Sequence, residues 1–250
     1  MLSPAQIAQF HQLGFLVLPK LGTSGYCRQV LEYAEQQLQM AVAPVEYEAE
    51  TGYPGAPASR SANGGGTVRR LLHVSLRGRL ISDWATGSNL AQPLKQLLGN
   101  DVLLSQAHHN CIMTKQPQFS SITGWHRDSR YWHFQRPELI SAWLALRDET
   151  VENGCLLVIP GSHRVAIDVG GLDAAQFLKQ DFPANQPLLR QAIPVELKAG
   201  DVLLFSSNLF HAAGRNLTGQ TKYSMVFTYR AADNPPIADS RSASLPELAI

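Results

Sequence analysis

The stretch GWHRDSRYW, residues 124–132, carries a histidine and an acid two positions apart, His126 and Asp128, among aromatic side chains. In an extended segment, side chains at i and i+2 share a face. His126 and Asp128 would then point one way and Arg127 the other. A metal held from one strand needs a further donor from elsewhere, and His211, in NLFHAAGRN just after the apolar run GDVLLFSS, is the candidate. Two imidazoles and one carboxylate on one face of an octahedron hold Fe(II) and leave the opposite face open. The H-x-D tripeptide is weak alone. With eight histidines in the chain, it arises by chance roughly 0.3 times, and a surface ion pair or a hydrogen-bonded core histidine is then the simpler account.

The rest of the composition narrows the setting. The chain has 250 residues, 44% of them hydrophobic, and a formal net charge of +1. A sizeable core is expected, with no global pull toward nucleic acid or membrane. Cys27, Cys111 and Cys155 are odd in number and form no CxxC. Reduced thiols in a cytoplasmic protein explain them most simply. MLSPAQIAQF lacks the basic and apolar regions of a secretory signal, and no run of about 18 apolar residues is present to span a bilayer.

The elements that must position the three donors follow from periodicity. SPAQIAQFHQLG predicts a short helix with an S-x-x-Q capping box, proline in the first turn and Gly14 as its stop. FLVLP predicts a strand. Val30, Leu31, Ala34 and Leu38 predict a second helix, and NLAQPLKQLLG another. Residues 41–68 lose periodicity and predict a long loop, with NGGG at 63–66 as a flexible hinge, a candidate lid. From about Asp101, short apolar runs alternate with Gly, Pro and Asn punctuation: DVLLSQA, NCIMTK, ISAWLALRD, CLLVIPG, QAIPVELKAGDVLLFSS, HAAGRN and KYSMVFTYR. These predict a sandwich or barrel. Residues 164–190 form an excursion, helical around LDAAQFLKQ, and the tail DNPPIADSRSASLPELAI a loosely packed end. One domain over 1–250 is expected, with a helical N-terminal layer to about residue 100 and a β core over about 101–230.

Four segments, in order, resemble the phytanoyl-CoA dioxygenase family of Fe(II)/2-oxoglutarate oxygenases: LSPAQIAQFHQLGFLVLP, TGWHRDSRY, AWLALRDETVENGCLLVIPGSHR and LKAGDVLLFSSNLFHAAGRN. The likeness runs from about residue 3 to 230, with Arg127 where glutamine is more usual. It implies a mainly β double-stranded β-helix, or jelly roll, with flanking helices. It implies iron ligands His126, Asp128 and His211, with 2-oxoglutarate and O2 as cosubstrates. Related halogenases need a small residue at the acid position, so Asp128 implies hydroxylation of a small molecule. The family's distal-carboxylate cation is an arginine eleven residues after the second histidine. Here that position is Lys222, and the hydroxyl the family tends to carry two residues after that histidine is replaced by Ala213.

If NLTGQT turns as a hairpin, residue 215 pairs with 222, 213 with 224 and 211 with 226. Period-2 parity then puts His211, Arg215, Lys222 and Ser224 on one face. Arg215 would assist Lys222, and Ser224 would replace the missing hydroxyl. Asn110 is the candidate for the other carboxylate, since a similar asparagine serves some family members. Residues 51–82 carry Arg60, Arg69, Arg70, Arg77 and Arg79 and no acid, a charge that would draw an anionic substrate. Tyr131, Trp132, His133 and Phe134 are candidate pocket walls, His163 a structural residue, and Trp143 a core wall. Two other readings stand beside this one: a cupin-like metalloenzyme that does not use 2-oxoglutarate, and a catalytically inactive binding module on the same fold.

Overall fold

Ser3 opens the first helix, α1 (Pro4–Leu13), with the reciprocal capping box to Gln6 in place, and Gly14 closes it at φ 82°. The structure is a computed structural model and describes residues 1–53 and 55–250. The left-handed turn at Gly14 is a glycine conformation, and it drops the chain directly into β1 (Phe15–Leu18). Then come α2 (Ser24–Gln39), β2 (Val45–Tyr47), β3 (Val68–Leu72), α3 (Arg79–Ala85) and α4 (Ser88–Leu98). The β-rich half contains β4 (Val102–Lys115), β5 (Thr123–His126), β6 (Leu139–Ala145), β7 (Leu156–Val158), β8 (Ile193–Val195), β9 (Val202–Ser206), β10 (His211–Ala213), β11 (Lys222–Ala231) and β12 (Leu248–Ala249).

Two antiparallel sheets result. The larger runs β1-β9-β6-β11-β4-β3-β2, with β12 also on β4; the smaller runs β5-β10-β7-β8. The large sheet is buried on both faces, so its strands read as continuous apolar runs rather than alternating ones. Parity still sorts them. Ile112, Ile140, Ala142, Leu144, Met225 and Phe227 pack toward the helices with Val30, Ala34 and Leu94. Cys111, Met113, Trp143, Ala145, Phe205 and Val226 face inward with Leu156, Val158 and Ala213 of the small sheet. The cavity that matters lies between these inner faces.

Several expectations change here. The hairpin across 211–226 is absent. His211–Ala213 pairs with β5 and β7, whereas Lys222 onward pairs with β4 and β6. Residues 214–221 turn a corner between the two sheets, where the Asn216 amide bonds the carbonyls of Lys115 and Gln220. Within 41–68, a short strand pairs with β3. The glycine run is a packed turn rather than a hinge: a Cβ at Gly65 would sit 1.9 Å from the Ser59 carbonyl oxygen. LDAAQFLKQ is no helix. The Asp173 carboxylate accepts from the amides of Ala175 and Phe177, an Asx turn that competes with helix, and Leu172 bridges Leu178. The tail is tied down by β12, by the Arg230–Glu247 ion pair and by buried Asn234 and Ser242.

Candidate metal and cosubstrate site

β5 ends on His126, and Arg127 stays extended at φ −109°, ψ 138° before a 3-10 turn begins at Asp128. Both side chains therefore face the interior, as the i, i+2 spacing requires. β10 lies beside β5 with His211 opposite His126. Donor atoms of His126, Asp128 and His211 all lie within 4.8 Å of one another, and all three residues are buried. Arg127 points away, donating to the carbonyls of Ser162 and Val165.

The hydrogen bonds settle which nitrogens are free. His126 Nδ1 lies 2.8 Å from the Gly124 carbonyl and His211 Nδ1 3.0 Å from that of Leu209. A carbonyl only accepts, so each Nδ1 carries the proton and each Nε2 presents a lone pair. These Nε2 atoms lie 3.7 and 3.6 Å from Asp128 Oδ1. Burial first, and each other's proximity next, hold His126 well below the usual imidazole range; burial likewise lowers His211. Burial alone would raise the Asp128 carboxyl, but His109, His211 and His126 outweigh it and hold it below the usual carboxylate range. Asp128 Oδ2 accepts from Ser141 Oγ at 3.3 Å and Oδ1 from His109 Nε2 at 3.1 Å. Among the described residues no Lys or Arg lies within ion-pair distance of Asp128. Two neutral lone pairs and an anion around one point, without a fixed cation, fit a divalent metal.

Two arms of one cavity meet at this point. One is lined by His126, His211, Trp143, Lys115, Lys222 and Thr123. The other, about 260 Å³, is lined by His126, Asp128, His108, Trp132, Tyr131 and Arg241. Tyr53, Arg70, His109 and Met113 border both. The β4–β11 register slips between Phe227↔Asn110 and Thr228↔Ser105. Residues 106–109 therefore bulge, which brings His108 and His109 into the second arm.

The residues expected at the cosubstrate end separate. Lys222 and Ser224 do point inward, by the parity of the large sheet rather than by a hairpin. Lys222 Nζ bonds Glu149 Oε2 at 2.9 Å, and Ser224 Oγ donates to Glu149 Oε1 at 2.6 Å. Asn110 has the parity of Ile112, the helix-facing one, and spends its amide on the backbone N–H and hydroxyl of Ser75. Arg215 is exposed at the rim, with its guanidinium against Gly55. Lys115 was not singled out by the sequence, although it shares the parity of Cys111 and Met113. It pairs directly with Lys222 across the β4–β11 ladder. It is 4% exposed, and its Nζ bonds the Ser121 carbonyl at 3.0 Å. No carboxylate lies within ion-pair distance of it among the described residues. Burial first, then Arg69 and Lys222, push its ammonium well below the usual lysine range. An ammonium so disfavoured is completed by a bound anion, which would restore its proton.

The arginine-rich stretch is mostly compensated by acids just before it: Arg69 pairs with Glu48 at 3.3 Å and Arg70 with Glu46 at 2.8 Å. Arg60 lies over the Tyr47 ring, and Arg77 ties the carbonyls of Leu72, Val42 and Pro44. Trp132 and Tyr131 wall the second arm, whereas Phe134 packs against His108 and bridges Pro236. His163 holds the His11 carbonyl, a structural role.

A sequence model described as phytanoyl-CoA dioxygenase (PhyH) matches residues 10–224. The ectoine dioxygenase of Bordetella bronchiseptica is 26% identical over 93% of this chain and 77% of its own length. That of Nocardia farcinica is 28% identical over 67% of this chain, which spans 60% of that relative. Among solved structures, EctD from S. alaskensis with 2-oxoglutarate and 5-hydroxyectoine superimposes with a TM-score of 0.79 at 22% identity, covering 94% of this chain and 78% of that one.

Proposed function

The chain belongs to the phytanoyl-CoA dioxygenase family and is an Fe(II)- and 2-oxoglutarate-dependent dioxygenase; we propose that it hydroxylates a small molecule at iron held by His126, Asp128 and His211. The observation that carries the ligand assignment is the pair of Nδ1–H···carbonyl bonds, which aim both Nε2 lone pairs at Asp128. When bound, the iron activates O2 so that 2-oxoglutarate is converted to succinate and CO2 with one oxygen atom delivered to substrate.

The chain's own residues do the rest. Ser141 and His109 fix the Asp128 carboxylate. The arm with Lys115 and Lys222 takes 2-oxoglutarate, its distal carboxylate on the Lys115 ammonium, at the far end from the histidines. Trp143, Phe205 and Leu156 wall that arm and keep water out. The second arm takes the substrate. Its indole, phenol and imidazole surfaces suit a small polar molecule. Arg241 has no carboxylate within ion-pair distance among the described residues, and would meet an anionic group.

The test is iron-dependent succinate release from 2-oxoglutarate, first without and then with a panel of small metabolites. Succinate formation that rises with one metabolite identifies the substrate. Iron binding without any 2-oxoglutarate turnover would favour the cupin-like alternative.

A further inference from the structure

Glu149 plays no part in metal binding, and it is 0% exposed. It follows β6, and its backbone is pinned by reciprocal bonds to Leu197 at 2.8 and 3.0 Å. Its carboxylate takes a full set of donors: Trp143 Nε1 at 2.9 Å and Ser224 Oγ at 2.6 Å on Oε1, and Lys222 Nζ at 2.9 Å on Oε2. All three partners lie on the inner face of the large sheet. Lys222 and Trp143 also line the cosubstrate arm, whereas Glu149 does not. The acid thus stands behind Lys222, not in the cavity.

This arrangement has an electrostatic result. Lys222 and Lys115 are cross-strand neighbours, and a ligand carboxylate between them would meet two positive charges. Glu149 cancels one. Arg69 and Arg70, the other cations lining this arm, are paired with Glu48 and Glu46. Once a bound anion holds Lys115 protonated, the sum left facing the cavity among the described residues is a single charge, on Lys115. Two of its three donors, the Trp143 indole and the Lys222 ammonium, belong to residues that line this one arm.

Resting on the function proposed above, we infer that Glu149 is a specificity-determining and positioning residue: it fixes Lys222 and sets the distal subsite to one net positive charge, matched to one carboxylate. A subsite with two uncompensated cations would hold cosubstrate and succinate too tightly and would admit more highly charged anions.

Calorimetric titration of 2-oxoglutarate and of succinate into the anaerobic Fe(II) protein tests this. Glu149→Gln should tighten both by about ten- to a hundredfold, the scale expected for one added charge roughly 6–12 Å away at an effective dielectric near 20. The Kd should also become more sensitive to salt, a change that a merely structural role would not produce. The double variant Glu149→Gln/Lys222→Met restores the single charge. Its affinity should exceed that of Lys222→Met alone by the same factor, because Glu149 there stands uncompensated beside Lys115, and that comparison carries the test if Glu149→Gln alone does not fold; equal affinities overturn the inference. Unchanged or weaker binding in Glu149→Gln, or loss of 2-oxoglutarate binding in the double variant, overturns the inference. Wild-type Fe(II) protein that binds no 2-oxoglutarate overturns the functional reading itself.

Discussion

Asp128 and Glu149 are both buried carboxylates reaching the inner space of one sandwich, at 2% and 0% exposure, and they are surrounded in opposite ways. Around Asp128 stand three imidazoles and a hydroxyl, and no fixed cation among the described residues. Around Glu149 stand an ammonium, an indole N–H and a hydroxyl. An anion buried without a cation is costly, and at Asp128 a bound metal would supply the missing charge. An anion buried with its cation is complete, and acts only through the charge it removes from its neighbourhood. The same residue chemistry gives a ligand at one end of the cavity and a charge-setting group at the other.

The largest effect should come from the uncompensated end. Asp128→Ala removes a proposed ligand and, among the described residues, the only fixed negative charge at the centre. Iron affinity should fall by at least about one to two orders of magnitude, and hydroxylation should vanish. Wild-type iron content and turnover in that variant would remove the ligand assignment.

Lys115 and Lys222 divide the comparison further. Lys115→Met should raise the 2-oxoglutarate Kd about ten- to a hundredfold, from loss of a charge-assisted bond of roughly 1.5–3 kcal/mol, without lowering stability, because among the described residues no carboxylate lies within ion-pair distance of it. Lys222→Met leaves Glu149 buried and unpaired, so it should also destabilise the protein by about 3–5 kcal/mol. Denaturant midpoints beside calorimetric Kd values separate the two. Equal stability losses in both variants would erase the distinction between a compensated and an uncompensated lysine.

A smaller effect concerns acid. Burial first, then His109 and Arg241, push His108 down to about 3, beside Ser242 of the tail. The unfolded chain titrates this group near 6.5, so between these values the unfolded state binds more protons. The His108 contribution is fully present above about pH 6.5 and is lost as pH falls toward 3. His108→Gln should flatten the stability profile between about pH 6 and 4 relative to wild type; parallel profiles would refute it. The smallest effect is at Arg215, exposed at the rim, where Arg215→Ala should change the 2-oxoglutarate Kd by less than about twofold.

The metal end was legible because its logic is local. Two ligands come from one extended tripeptide, and the segments around His126 and His211 carry the family likeness. The short apolar runs give a sandwich or barrel, and the family resemblance narrows it to a jelly roll. The cosubstrate end was only half legible. Lys222 has the right spacing from His211, but whether its charge is free depends on Glu149, brought to it by the order of strands in the large sheet. Lys115 shows only through its parity with Cys111 and Met113, once β4 is known to be one strand and not two. Asn110 failed for the same reason, one residue out of phase. The tail and the Asx turn at Asp173 were misread because hydrogen bonds that periodicity does not encode hold them.

On the proposed function, this cavity couples 2-oxoglutarate to oxygen through the His126–Asp128–His211 centre. The most direct measurement is succinate formed from 2-oxoglutarate by the purified protein in air, with and without Fe(II), for wild type and Asp128→Ala side by side. The account predicts succinate only from wild type with iron. Succinate formed equally by Asp128→Ala, or none from iron-loaded wild type across the metabolite panel, would contradict it.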